Sequence, residues 1–534
     1  MPRPAAAAAL ALVLTLSACA GAGVAADAVT TLAPTTAPST TMAPTTATTA
    51  PPTTAPPTTL PPSDPPNIVL VLMDDLSTHM MEVGFYRSLP GDSTLEALMA
   101  AGTTFPNFFN ATPLCCPSRA SILTGLFPHN HMVYGNKWDK TDGYGGYRRF
   151  LREGHEDRAV ALALKQAGYS TVFIGKYMNE YRTTRPRRVP RGWDRWMARL
   201  GAVAAEGNRY FYPEFNIDGT ITDFGIDEPT YLTDLEADMA VGAIEELFPA
   251  DQPVFMLLST SAPHPPAVAA PRHEGAHADA GVRTDPPPSC PEDDISDKPH
   301  HMRRFRRAFQ ENDGFGYRGC WSDEYSLHLD QTLALDEMLA AVMEAIDASP
   351  DADNTYVVIA SDNGRMRGEH AVFTKGVPYE ESVRTPMIVV GPGVAAGAVD
   401  PSMVLNVDLA PTFLDLGTAT WPRRAVADGE SMRPLWEGTA DSWRTSVLLE
   451  LLAPLGRGRT PVWRAVRTHD MVYVQYETGE IEIYDLVDDP WQLESLHDDA
   501  PGAMLEQFSA VLEAWAACAG TNCQEAARLA VPGS

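Results

Sequence analysis

Positive charge is in short supply in this sequence: 40 lysines and arginines face 69 aspartates and glutamates, a formal net charge of −29 over 534 residues. An acidic chain without a basic stripe has no electrostatic hold on a phosphate backbone, which excludes nonspecific nucleic-acid binding as its function. Long hydrophobic runs are also missing. The apolar run from Ala5 to Leu16 falls short of the ~20 residues that a spanning helix needs, and no second one follows. Cysteine is scarce and odd in number, seven in all, which is unusual for an exported chain built on disulfides alone. Between Ala20 and Pro66 nearly everything except Thr, Pro, Ala and Ser is absent. Such a segment cannot bury enough apolar surface to fold; it predicts an extended, polyproline-like stalk, open to glycosylation at its threonines.

The first 19 residues have a short basic start at Arg3, the apolar run, and then Leu16-Ser17-Ala18-Cys19. That tetrapeptide resembles a bacterial lipobox. It implies a lipoprotein-type signal peptide over 1–19, lipidation of Cys19, and a cell-surface protein of a bacterium whose membrane contact is the lipid anchor only. The alternative is a secreted protein cut near Ala25 or Ala26. The stalk spans 20–66, and the remaining residues are enough for one large domain and a smaller one.

Chemistry concentrates in Leu114–Gly125, LCCPSRASILTG. Adjacent Cα atoms lie about 3.8 Å apart whereas disulfides need roughly 4.4–6.8 Å, so a Cys115–Cys116 bond would be strained. Pro117 suits a first helical position and Gly125 a helix end, which predicts both cysteines just outside a helix N-terminus. Unpaired N–H groups there, with Arg119 one turn in, suit an anion.

Two strand-like runs deliver acids. Asn67–Met73 (NIVLVLM) reads as a parallel strand buried on both faces and ends in Asp74-Asp75; Thr355–Ala360 (TYVVIA) ends in Ser361-Asp362-Asn363-Gly364. Open α/β sheets place ligands at such strand ends. Asp74, Asp75, Asp362 and Asn363 together offer an oxygen-rich shell to a hard divalent cation.

Cys115-Cys116-Pro117-Ser118-Arg119 with Leu123-Thr124-Gly125 resembles the CxPSR…LTG signature of the sulfatases, and NIVLVLMDD and TYVVIASDNG resemble that family's metal segments in the same order. The resemblance implies an alkaline-phosphatase-like α/β fold: a large, mostly parallel central sheet flanked by helices over 67–440, then a smaller antiparallel sheet with a helix over 441–534. It implies conversion of Cys115 to formylglycine (3-oxoalanine) by a formylglycine-generating enzyme. One hydroxyl of the hydrated aldehyde would attack sulfur and the other would expel sulfate. The implied metal ligands are Asp74, Asp75, Cys115, Asp362 and Asn363, with Ca2+ preferred and Mg2+ the alternative. Arg119, Lys176 in FIGKYMNEY, His264 in LLSTSAPHP and Lys375 in VFTKGVPYEE are implied as catalytic cations.

The family's GKWH turn reads GKYM here, so no histidine carries over at that point. GKYMNEY instead resembles the branch containing N-acetylglucosamine-6-sulfatases and the extracellular heparan-sulfate 6-sulfatases, as do PHNH at 128–131, PRGW at 190–193 and the C-terminal CAGTNC. The implied activity is hydrolysis of sulfate esters, with the 6-O-sulfate of N-acetylglucosamine-type sugars in glycans as substrate. His129, His131 and Asn179 are then candidates for touching substrate. With Cys19 and Cys115 assigned, the expected disulfides are Cys290–Cys320 and Cys518–Cys523, leaving Cys116 unpaired; four cysteines allow three connectivities. Two alternatives use the same sequence: a phosphodiesterase, phosphonate hydrolase or arylsulfatase on this scaffold, or an unconverted surface binding protein.

Overall fold

The computed structural model describes residues 64–78, 93–202, 210–225, 230–277, 287–290, 292, 294–311, 323–456 and 460–533. The signal segment with Cys19 and all but the end of the stalk lie outside the described residues. So does Cys320; Cys290 is disulfide-bonded. No described helix is long and apolar enough to cross a membrane.

The strands in chain order are β1 Asn67–Met73, β2 Thr103–Phe109, β3 Ser170–Gly175, β4 Arg195–Ala202, β5 Pro213–Ile217, β6 Thr220–Asp223, β7 Val254–Ser259, β8 Thr355–Ser361, β9 Arg384–Val390, β10 Ala398–Val399 and β11 Val404–Leu405. They form one sheet in the order β10-β2-β9-β8-β1-β7-β3-β4-β5-β6, with β11 also on β2. Its middle, β8-β1-β7-β3-β4, is parallel; β9, β5 and β6 join antiparallel. Every residue of β1, β7 and β8 is buried. That explains why these strands are continuous apolar runs: helices cover both faces, and each buried Val, Leu or Ile contributes about 1.5–3 kcal/mol. Helices Leu232–Leu247 and Asp323–Asp347 pack on the face that holds Val69, Val71 and Met256. The other face buries Ile68, Leu70 and Phe255 with Phe413.

A second sheet, β12 Ser446–Leu451, β13 Trp463–Thr468, β14 Met471–Tyr476 and β15 Ile481–Asp485, is antiparallel throughout. It is the smaller antiparallel sheet expected over 441–534, and β12, SVLLEL, is fully buried. Helix Gly502–Ala516 covers this sheet, stacking Phe508 on Tyr473 and donating from Trp515 Nε1 to Ser446 Oγ at 3.1 Å. Cys518 and Cys523 form the expected disulfide just beyond it. Two contacts tie this sheet to the larger one near Lys375. Trp463 Nε1 donates to Gly376 O at 2.9 Å, and Tyr379 donates to Glu482, a buried carboxylate that also accepts from Tyr476 and Tyr484.

Candidate active site

Four neighbouring parallel strands end side by side, and each end carries a charged or polar group: Asp362 after β8, Asp74 and Asp75 after β1, His264 in the segment after β7, and Lys176 after β3. Asp75 takes a left-handed backbone, φ 68°, a conformation Asp tolerates better than most residues. Leaving the strand there lets two successive carboxylates serve one site, where an extended strand would point them to opposite faces. At the end of β3, a Cβ on Gly175 would lie 2.1 Å from Ser259 O. Only glycine allows this close approach, which brings Lys176 N–H to Ser259 O at 2.7 Å.

The helix carrying the cysteines spans Cys115–Thr124 and closes at Gly125, φ 68°. It begins two residues earlier than expected. Cys115 and Cys116 lie in its first turn, because proline needs only a position whose N–H is free, and every position of the first turn qualifies.

The side chains then meet. Cys115 Sγ lies 3.5 Å from Asp74 Oδ1 and 2.8 Å from Lys375 Nζ. Lys375 also pairs with Asp75 and reaches Asn363 Oδ1 at 3.2 Å; Lys176 pairs with Asp74. Asn363 Nδ2 donates to Asp75 Oδ1 at 2.6 Å, and His264 Nε2 stands 3.7 Å from Asp75 Oδ2. Arg119 donates from Nε to Asp362 Oδ2 at 2.8 Å and from Nη1 to Lys176 O and Ser259 Oγ, both at 2.6 Å. Its Nη2 is buried with no protein partner. Ligand atoms of Asp74, Asp75, Cys115 and His264 all lie within 4.8 Å of one another, as a metal site requires.

Burial dominates the electrostatics. It raises the carboxyls of Asp74 and Asp75, but Lys176 and Lys375 respectively overcome it, and both acids are held below the ordinary carboxylate range. Asp362 goes the other way, to about 6, through burial and the nearby Asp74. It does so despite the Arg119 pair at 2.8 Å: the pair is real, and the excess of buried negative charge falls on this residue. Burial pushes the Cys115 thiol up to about 11 against the lysines, so as an unmodified cysteine it is a protonated, weak nucleophile. Burial pushes His264 down to about 4. With Nδ1 2.5 Å from Pro265 O, its neutral form carries the proton on Nδ1 and leaves the Nε2 lone pair toward the site.

The structure thus brings together all nine residues assigned to catalysis or metal. It does not bring His129 and His131 to them. His131 is fully buried, with Nε2 3.1 Å from Ser121 Oγ and Nδ1 accepting Val133 N–H. His129 lies between Glu450 Oε1 at 2.8 Å and Cys518 O at 3.1 Å. Both bind the chain itself. Asn179 lies in the turn after Lys176. Its carbonyl accepts Tyr147 N–H, and its side-chain oxygen is buried without a partner.

Three groups went unforeseen. Arg365 Nη1 stands 3.3 Å from Asp75 Oδ2, Ser259 bridges Arg119 to Lys176 O, and Asn136 Oδ1 accepts Cys116 N–H at 2.8 Å. Arg365 directly follows the SDNG turn and was within reach of the sequence; Asn136 carries no signal.

Residues 66–419, well over half of the chain, match the sequence model of the sulfatases. The chain belongs to the sulfatase family. Residues 368–514 of this sulfatase also match the C-terminal model of N-sulphoglucosamine sulphohydrolase. N-acetylglucosamine-6-sulfatase of Capra hircus is 26% identical over 498 residues, covering 86% of this chain and 85% of that protein. An extracellular sulfatase SULF-1 homolog of Drosophila melanogaster is 32% identical over 400 residues, 72% of this chain, which spans about a third (33%) of that relative. Among solved structures, a protein in complex with its substrate D-glucosamine-2-N,6-O-disulfate superimposes with a TM-score of 0.66 at 23% identity, covering 84% of this sulfatase and 97% of that chain. The phosphonate monoester hydrolase of Agrobacterium radiobacter does so with 0.58 at 20% identity, covering 83% and 94%. These two likenesses establish the fold, which serves more than one chemistry.

Proposed function

We propose that this sulfatase is an exported, lipid-anchored enzyme that removes the 6-O-sulfate from N-acetylglucosamine-type sugars of glycans, with formylglycine at position 115 and a divalent metal, Ca2+ in preference to Mg2+. The observation that carries the chemistry is the meeting of Cys115 with Asp74, Asp75, Asp362 and Asn363 among the cations of Arg119, Lys176 and Lys375, with His264 beside them. The names of the N-acetylglucosamine-6-sulfatase relatives support the sugar.

The residues present fit both groups. The oxygens of Asp74, Asp75 and Asn363 gather two ammonium groups, and the same hard donors suit a divalent cation. The buried, unpartnered Nη2 of Arg119 is a donor kept for an oxygen that a thiol does not supply. When present, the formylglycine hydrate supplies the nucleophilic hydroxyl and the metal polarises it and the sulfate.

The chain's own residues do the rest. Arg119, fixed by Asp362, Ser259 and two backbone carbonyls, holds the nucleophile's surroundings rigid. Lys176, His264 and Lys375 line the space where sulfate oxygens sit, and the charge of the two lysines stabilises the transition state. The leaving alcohol takes its proton from this trio. His264 must first be protonated to serve, since burial holds it neutral at neutral pH. Asn179, in the Lys176 turn, is a further substrate candidate.

Mass spectrometry of the peptide bearing Cys115, from protein made in its native host, tests the mechanism; an unmodified thiol in active enzyme would refute it. Faster turnover of aryl phosphates than of aryl sulfates would move the assignment to the phosphonate hydrolase reading. A panel of sulfated monosaccharides then tests the sugar.

A further inference from the structure

Beside the turn that carries Lys176 lies a second recess of about 730 Å3, lined by Trp138, Lys140, Arg148, Arg152 and Arg185, with Glu180 the one acid. None of the catalytic cluster lines it. Its size suits a ligand of one to a few rings.

Its charge is out of keeping with a chain of net −29. Among the described residues, neighbouring arginines are neutralised: Arg149 by Glu153, Arg182 by Glu214, Arg188 by Glu156 and Arg191 by Asp157. The four cations of the recess form no such pair with a described residue. Glu180 is spent on the backbone, its Oε2 accepting Trp138 N–H at 2.7 Å. Arg148 and Arg152 share one face of helix Gly146–Arg152 and stand 4.8 and 5.9 Å from the Trp138 ring. Like charges four residues apart destabilise a helix slightly, a cost that the contacts with the Trp138 ring offset.

The recess is also built. Gly146 has φ 69°, and a Cβ there would lie 2.3 Å from Glu180 Oε2, so glycine is what lets Glu180 hold the Trp138 loop. That loop touches the catalytic machinery. Asn136, two residues before Trp138, binds the amide of Cys116, and Tyr147 N–H binds Asn179 O.

We infer that this recess is a second glycan subsite, which holds an anionic sugar of the same chain whose sulfate lies at residue 115. Guanidinium forks match sulfate and carboxylate oxygens, and the Trp138 ring holds the forks of Arg148 and Arg152 in place. The inference rests on the reading of the protein as a glycan sulfatase.

The test uses full-length protein. Calorimetry of the Cys115→Ala form measures affinity for a heparin-derived octasaccharide, and kinetics of the converted enzyme measure 6-sulfated N-acetylglucosamine. Arg148→Glu with Arg152→Glu, and separately Arg185→Glu on another segment, should weaken octasaccharide binding by about tenfold or more. Monosaccharide turnover should stay within about twofold, since the lost contacts lie outside the single-sugar site. Unchanged octasaccharide affinity in both variants overturns the inference, as does an equal loss for the monosaccharide. So does loss of binding to phosphatidylglycerol vesicles with octasaccharide binding intact. If the wild type hydrolyses no sulfated sugar while octasaccharide binding still depends on these arginines, the proposed function falls and the anionic-glycan subsite stands.

Discussion

Replacing Lys375 by methionine is expected to cost turnover far more than folding. Lys375 is 5% exposed and its ammonium lies 2.8 Å from Cys115 Sγ, so it sits against the reacting centre in a largely desolvated place. A unit charge about 4 Å from negative charge developing on sulfate, at an effective dielectric of about 20, is worth about 4 kcal/mol. At about 1.4 kcal/mol per factor of ten this is roughly a thousandfold in kcat, the upper end of what one lost electrostatic donor usually costs. Asp75 keeps Arg365 at 3.3 Å, so its charge is not stranded. The assay is kcat on an aryl sulfate, corrected for formylglycine content by mass spectrometry and accompanied by a melting curve. A drop of less than about tenfold in fully converted protein would refute the transition-state role argued from this geometry.

Arg119→Met leaves Asp362 buried without its cation, and about 3–5 kcal/mol of stability should be lost; adding Asp362→Asn should recover part of it in denaturant titrations, and no recovery would show that the pair is not coupled. Asp362→Ala should abolish activity and lower bound divalent metal measured by elemental analysis; full activity with full metal content would remove this residue from the ligand set. His129 has both ring nitrogens on acceptors, and although burial opposes its charge, Glu450 raises its pKa above the ordinary value. Its stabilisation is therefore fully present below about pH 6.5 and is lost as pH rises through the higher folded pKa. The melting-temperature gap between wild type and His129→Gln should narrow as pH rises from 6 to 9, and a gap that widens would contradict the pairing.

The parts legible in the sequence are those set by local pattern. β1 was visible because a strand buried on both faces is an unbroken apolar run, and Asp74 and Asp75 because nothing about packing asks for two acids at its end. Asp362 and Asn363 were visible for the same reason after β8. The pairing of these ends with Arg119 depends on strand order, which periodicity does not encode. His131 shows the converse. A histidine beside a helical motif reads the same whether it faces substrate or, as here, Ser121 and a buried core. Glu482 could not be singled out at all, because its three tyrosine donors come from two strands of the small sheet and from the segment after Lys375.

That last arrangement bears on how such proteins can be recombined. Gly376 and Tyr379 lie one and four residues after Lys375, and both are moored to the small sheet, one by Trp463 and the other by Glu482. The carboxy-terminal quarter is in that sense a splint for the lysine. A chimera that grafts another chain's tail after Trp436 keeps Asn406 and Asp428, which hold the nucleophile helix and its end, yet moors the segment after its lysine only if the donor brings its own indole and its own carboxylate to those two places.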